Sequence, residues 1–400
     1  MDIAGLSMAL LTLTATSLVV MVACESFEKA SSHLGKHVYK MPAGVRGATI
    51  DAIGSSMPEL FTTSFLLFYY ADLDGFSAGI ATCAGSAVFN AVIIPALCIL
   101  IVTNRGILVK GKRIKLPHIN LQKSTIMRDA FFFLIAEVTL IAFLDAPEVG
   151  WKMGAALLCV YCMYAIKLFT EVRRKGRDQP REEPQQTSAE DQARAKGHGL
   201  IGKLIRLDFN GLLFDGRPFT PSTAWTVLGL ATLTVGVACH FLAGAVMDAA
   251  AAMNIAPYFA AIILGAAATS VPDTVISVKA AAAGDYDDAI SNAMGSNIFD
   301  ICVALGLPLL VYSLWHGGVS VPLSSAGGPA NVQELRVALV LLTFLVVCVF
   351  LYDIGPGKQV PGKIRVGKTK AVLLLSFYIT WTLFIIGRSF EWEWMAKLTG

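Results

Sequence analysis

The chain has 400 residues, 55% of them hydrophobic and only 15% charged, with a mean hydropathy of +0.62; these values exclude a soluble globular protein and place the chain in a bilayer. A formal net charge of +3 is too small to imply a nucleic-acid partner, so where the charges fall says more than their sum.

The first apolar stretch, Leu6 to Cys24, has no basic residue before it and is long enough to span a hydrocarbon core. It reads as a first membrane helix rather than the short core of a signal peptide. Stretches able to cross ~30 Å at ~1.5 Å per residue lie near 4–24, 43–70, 77–102, 127–145, 151–171, 223–247, 257–283, 286–314, 334–354 and 368–388, which makes about ten. They fall five and five around a polar segment containing RRKGRDQPREEPQQTSAEDQARAKG, whose Pro, Gln and mixed charges mark an exposed linker, with a short helix expected around Leu200 to Phe209. The predicted fold is therefore an all-α integral membrane protein: a five-helix unit over 1–171, a linker over 172–222 and a second five-helix unit over 223–400. Cys24, Cys83, Cys98, Cys159, Cys162, Cys239, Cys302 and Cys348 sit in or beside apolar segments and read as packing residues; the CxxC of Cys159 and Cys162 lies within the span AALLCVYCMYAI.

Basic residues favour cytoplasmic loops. The loop after the third span carries Arg105, Lys110, Lys112, Arg113, Lys115, Lys123 and Arg128 with no acid among them, and the loop after the ninth carries Lys358, Lys363, Arg365, Lys368 and Lys370. The opposite loops are poor in base, with Asp72 and Asp74, Asp248, and His316. Both termini are thus expected outside and the linker in the cytoplasm. An odd number of spans per half makes the second half enter from the side opposite to the first, as inverted repeats require.

Two motifs recur in the same order in corresponding spans. GATIDAIGSSMPELFTTS and GSAVFNAVI in the first half match GAAATSVPDTVISV and GSNIFDICV in the second, around [ST]-S-x-P-[ED] and G-S-x-x-F-[ND]. Pro58 and Pro272 lack an amide proton and clash with the carbonyls four residues back, at Gly54 and Ala268, so each helix is expected to break near the midplane and free carbonyl oxygens there. Glu59 and Asp273 follow the prolines, Ser56 and Ser270 lie one turn earlier on the same face, and Ser55 and Thr269 precede them. Ser86 with Asn90, and Ser296 with Asp300, repeat the arrangement at a spacing of one turn. Three carboxylates in span interiors, Glu59, Asp273 and Asp300, have no Lys or Arg within the motifs; the nearest is Lys279, which can snorkel. An all-oxygen shell without His or Cys suits hard cations such as Ca²⁺ and Na⁺. If the empty site is costly to carry across the membrane, loaded forms alternate and the protein behaves as an antiporter, although protonation of a carboxylate would also empty it.

The phrases GSSMPELFT, GSAVFN, ATSVPDT and GDYDDAISNAMGSNIFD resemble the paired alpha repeats of the cation/calcium exchanger superfamily, specifically its sodium/calcium exchangers with their potassium-dependent branch. The resemblance implies a Ca²⁺ site around Glu59 and Asp273, Na⁺ sites shared among these and Ser55, Ser56, Ser86, Asn90, Thr269, Ser270, Ser296 and Asp300, carbonyl ligands near Ala52 and Ala266, and sliding of the first and sixth helices against the rest. It implies transported Ca²⁺ and Na⁺ with no resident cofactor. The Gly-Ser of the second motif, where proton-coupled relatives have Gly-Asn, favours Na⁺; Asp300 resembles the potassium-dependent branch but also potassium-independent prokaryotic-type members. Two departures stand out: Glu59 to Asn90 is four residues longer than Asp273 to Asp300, and Asp51 adds an acid that reads as cytoplasm-facing rather than ligating. Asp285, Asp287 and Asp288 read as a solvated cytoplasmic helix start, with a funnel for cations as the alternative. A proton/Ca²⁺ antiporter is the nearest alternative; an intramembrane aspartyl protease using Asp273 and Asp300 would leave Glu59 unexplained. The compact linker favours a bacterial inner membrane. The partners expected are lipid and the transported ions, with no obligate protein partner.

Overall fold

The computed structural model describes residues 2–39, 52–71, 75–109, 112–144, 148–178, 200–320, 332–352 and 361–390. Asp51, Asp72, Asp74 and residues 179–199 of the linker lie outside the described residues.

The first helix, α1 (Ile3–His33), pairs across the linker with α9 (Pro221–Met253). In α1 the Asp2 carboxylate accepts the Ala4 amide. In α9 a capping box between Thr220 and Thr223 and Pro221 in the first turn satisfy or remove amides that have no partner in the helix. The helix ends at Asn254, whose φ of 55° supplies the left-handed residue needed to close it. The two pack antiparallel: the Asp2 amide donates to the Ala252 carbonyl, and the His33 ring meets Phe219 just before α9 begins. Their shared face holds small residues, with Val20, Ala23, Cys24, Val235, Ala238 and Cys239 forming a buried cluster of its own. Van der Waals packing of small side chains is the main attraction available between helices in lipid.

The remaining elements make a larger body around one continuous core, to which Leu13 of α1 and Leu242, Val246 and Ala250 of α9 also contribute. In the first half these are α2 (Ala52–Ser55), α3 (Met57–Tyr69), α4 (Gly75–Arg105), α5 (Lys123–Leu144) and α6 (Trp151–Asp178). Two short linker helices follow, α7 (Leu200–Ile205) and α8 (Phe209–Leu213), where the sequence suggests one. The second half continues after α9 with α10 (Pro257–Ala260), a π-helical turn (Ala261–Gly265), α11 (Ala266–Thr269) and α12 (Val271–Ala283). Then come α13 (Tyr286–Phe299), a second π-helical stretch (Asp300–Leu305), α14 (Gly306–His316), α15 (Val332–Leu351) and α16 (Lys368–Ser389). Among the described residues six helices are long and apolar enough to cross a membrane, or seven with the bent pair 257–283. The other predicted spans coincide with α2 and α3, α5, and α15.

The loops hold strands that the sequence reading lacks. β1 (Ile107–Val109) pairs with β2 (Lys112–Ile114), β3 (His118–Gln122) with β6 (Lys363–Gly367), and β4 (Glu148–Val149) with β5 (Val319–Ser320), all antiparallel. The β3–β6 ribbon alternates in burial, with Ile119, Leu121, Ile364 and Val366 turned inward, which is the period-two pattern of HINLQ and KIRVG. It brings the two base-rich loops to one face of the molecule. The turn between α12 and α13 lies on that face too, because Asp287 accepts the Gln122 amide.

Two sequence expectations are corrected. The helices break beside the motif prolines, at Ser56 and Ser270, but not through the expected clash: Pro58 and Pro272 occupy the first turn of α3 and α12, where a missing amide proton costs nothing. Among the described residues the structure also buries five carboxylates rather than three. Asp129 is neutralised by Arg128 at 2.8 Å and accepts bonds from Tyr164 and Ser291, while Glu137, with no exposure, accepts a 2.6 Å bond from Thr343 on α15.

Candidate cation site

The pieces α10–α11 and α12 meet at 42°, and the break leaves Ser270 as the hinge between them. Ser56 does the same between α2 and α3. Immediately after each break, the first turn of the downstream helix presents its carboxylate, Glu59 or Asp273, with the helix dipole favouring negative charge at that end. The two breaks are crossed by α4 and by α13. Close crossing requires Gly85: a Cβ there would stand 2.1 Å from the Ile262 carbonyl oxygen.

These elements bring Ser55, Ser56, Glu59, Ser86, Asn90, Thr269, Ser270, Asp273, Ser296 and Asp300 together, each at most 1% exposed. Ser296 donates to Asp273 Oδ1 at 2.9 Å and the Asn90 amide donates to Asp273 Oδ2 at 3.2 Å. Ser55 also reaches Asp273, Thr269 lies beside Glu59, and Ser56 lies beside Asp300. Asp273 is therefore well supplied with donors. The other two carboxylates have fewer, although Asp300 Oδ2 also receives the Asn90 amide at 3.5 Å. Ser86 Oγ lies 3.1 Å from Glu59 Oε1, 3.0 Å from Asp300 Oδ2 and 2.7 Å from Ser270 Oγ. A hydroxyl carries one proton, so Ser86 can satisfy only one of these acceptors. Ser56 Oγ, Glu59 Oε2, Asn90 Oδ1 and Asp300 Oδ1 are buried without a hydrogen-bond partner. Each orphaned polar atom in a buried site costs ~1–3 kcal/mol, and four on converging side chains mark a place completed by something that attracts oxygen lone pairs.

Among the described residues no three His, Cys, Asp or Glu side chains are placed to hold a metal ion by themselves. Hydroxyls, the Asn90 amide oxygen and main-chain carbonyls would have to complete any shell, which is the chemistry of a hard cation. Of the two expected carbonyl ligands, Ala52 opens α2, and the Ala266 oxygen already accepts the Ser270 amide at 3.1 Å and the Thr269 hydroxyl at 3.2 Å. Sequence reasoning missed Asn297, which is fully buried beside Ser296 with neither amide atom bonded. The available signal was its place in G-S-N-I-F-D, where the first half has Ala87.

A family model described as sodium/calcium exchanger protein matches residues 8–170 and 223–387, covering both halves and leaving out the linker. The chain therefore belongs to the sodium/calcium exchanger family, and it is a multi-pass membrane transporter rather than an enzyme. It is similar to sodium/potassium/calcium exchanger 5 of Homo sapiens, with 22% identity over 399 residues that cover 84% of this chain and 75% of that protein. It is 42% identical over 114 residues to sodium/potassium/calcium exchanger 1 of Homo sapiens, a match covering 28% of this chain and 10% of that protein. Among solved structures it resembles the H⁺/Ca²⁺ exchanger CAX, with a TM-score of 0.60 and 12% identity over 96% of this chain and 80% of that one. It also resembles the sodium-calcium exchanger NCX_Mj, with a TM-score of 0.52 and 18% identity over 95% of this chain and 98% of that one. At these identities the two structures share the fold.

Proposed function

We propose that this protein is an antiporter that exchanges Na⁺ for Ca²⁺ across a membrane by alternating access, through the site formed where α3, α4, α12 and α13 converge. The observation that carries this reading is the surplus of buried acceptors: Glu59 and Asp300 compete for one Ser86 hydroxyl, and four oxygens on converging residues have no donor. One Ca²⁺, or Na⁺ ions in several places, would neutralise these groups. Asp273 then acts as a fixed anion held by Asn90 and Ser296, while Glu59 and Asp300 are the groups whose bonding changes on loading. The site as a whole is Glu59, Asp273, Asp300, Asn90, Ser55, Ser56, Ser86, Thr269, Ser270 and Ser296, with main-chain oxygens of Ala52 and Ala266. In taking a cation, the Ala266 carbonyl would exchange the Thr269 hydroxyl for the ion. About ten membrane helices in two inverted halves, with the base-rich face and the linker in the cytoplasm and both termini outside, complete the reading; the membrane is a bacterial inner membrane.

The test is ⁴⁵Ca²⁺ uptake into proteoliposomes preloaded with Na⁺, with Na⁺-free, pH-gradient and K⁺ arms. Uptake driven by outward Na⁺ and abolished in Glu59→Gln is the expected result, and an increase on adding K⁺ to the Na⁺-loaded side would add K⁺ to the cycle. Uptake driven instead by a proton gradient would establish the proton/Ca²⁺ alternative, the activity named for CAX, which shares the fold.

A further inference from the structure

The α13 helix carries a polar stripe that continues beyond the site. Asp288, Asn292, Ser296 and Asp300 follow one another at intervals of one turn on one face, from the base-rich surface to the centre. Their exposure falls in the same order: Asp288 is exposed, Asn292 is half-buried, and Ser296 and Asp300 are fully buried. On the adjoining α12, Ser277 stands one turn beyond Asp273, and the Asn292 amide donates to its hydroxyl at 3.1 Å. This pair bridges α12 and α13 directly beneath the Ser296–Asp273 bond. At the outer end, Asp288 lines a cavity of about 740 Å³ together with Asp285, Asp287, His118 and Asn120.

The other half offers no such ladder. The residues corresponding to Ser277 and Asn292 are Thr63 and Thr82. Thr82 bonds to its own helix at the Ala78 carbonyl, Thr63 pairs with the Cys83 thiol, and Ala78 stands where Asp288 stands in the second half. All of them are at most 1% exposed. Two inverted copies of one motif have thus kept ligands in common at the centre and diverged along the way out.

We propose that the Asn292–Ser277 pair is the constriction through which cations pass between the centre and the base-rich, cytoplasmic face, with Asp288 collecting them at the mouth. An amide oxygen and a hydroxyl exchange hydration water for ligand oxygen without holding the ion as a carboxylate would, which suits a point of passage. Opening the pair requires only that the Asn292 amide leave Ser277, one neutral hydrogen bond worth ~1 kcal/mol net. This inference rests on the exchange reading above.

The experiment uses the full-length protein in vesicles of defined orientation. Asn292→Cys and Ser277→Cys are each treated with a membrane-impermeant, positively charged thiol reagent applied to one face at a time, and Na⁺-driven Ca²⁺ flux is read against equally treated wild type. Arrest of flux by reagent on the cytoplasmic face only, in at least one variant that transports before treatment, is the expected outcome. Arrest from the outer face, or flux unchanged from either face, would overturn the proposal. A second measurement covers the case in which both cysteine variants misfold: Asp288→Asn should raise the half-saturating Ca²⁺ concentration several-fold at the cytoplasmic face and leave it within twofold at the outer face, whereas equal shifts at both faces, or none, overturn the proposal. Wild type that shows no Na⁺-driven flux would refute the exchange reading itself, so the two failures are distinct.

Discussion

At the scale of single residues, the site is governed by how few protons its hydroxyls can offer. Ser86 touches Glu59, Asp300 and Ser270 at once, so removing it strips the donor from one carboxylate and an oxygen from the cation shell. Ser86→Ala should raise the half-saturating Ca²⁺ concentration about 10- to 100-fold, the equivalent of one hydrogen bond to a charged group at ~1.5–3 kcal/mol; a Ca²⁺ titration of Na⁺-driven uptake measures it. Gly85, one residue earlier, is dictated by space, because α4 passes against the Ile262 carbonyl too closely for a Cβ. Gly85→Ala should lower stability by ~1–3 kcal/mol through overpacking, seen as a lower midpoint of thermal unfolding in detergent. Glu59, Asp273, Ser86 and Asn90 were legible in the sequence because each belongs to a motif stated twice. Asn297 and Glu137 were not, since neither has a polar counterpart at the matching position or a charged neighbour in sequence that would single it out.

Among the elements, a charged junction lies away from the candidate site. Arg128 on α5 pairs with Asp129 and with Glu171 of α6, Tyr164 of α6 donates to Asp129, and Ser291 of α13 donates to Asp129 at 2.9 Å. One charged cluster thereby fastens three helices beside the base-rich face. Arg128→Gln would leave Asp129, only 1% exposed, without its cation, and should cost ~3–5 kcal/mol. Pairing it with Asp129→Asn should recover most of that loss, because two neutral amides need no counter-charge; thermal unfolding of the single and double variants separates the cases. The positions of the helices were largely readable from hydropathy, and the breaks from their prolines. Their location at Ser56 and Ser270, and the π-helical stretches at Ala261–Gly265 and Asp300–Leu305, depend on packing with neighbouring helices, which a single sequence does not encode locally.

For the whole molecule, the described ribbons join loops of the larger body to one another, β3 with β6 on one face and β4 with β5, and neither includes α1 or α9. These two helices pack chiefly on each other, and at the base-rich rim Glu25 of α1 meets Lys279 of α12 across an exposed 3.4 Å ion pair, a weak tie by nature. A disulfide between Val149→Cys and Val319→Cys, which face each other across the β4–β5 ribbon, should leave exchange intact because both belong to the larger body. A cross-link between Glu25→Cys and Lys279→Cys, with a bifunctional thiol reagent that reduction cleaves, should arrest it and restore it on reduction if α1 and α9 slide against the larger body during exchange; flux before and after reductant reads both. The pair also has a peculiarity of composition. From Ile3 to Cys24, α1 has no ionisable acid or base apart from its cysteine, and α9 adds only His240 and Asp248 to its own cysteine. A full elementary charge carried through 100 mV exchanges ~2.3 kcal/mol with the field. Spans this bare would exchange almost nothing with it in shifting, so under the proposed exchange a dependence of transport rate on membrane voltage would come from the ions and from the carboxylates of the candidate site.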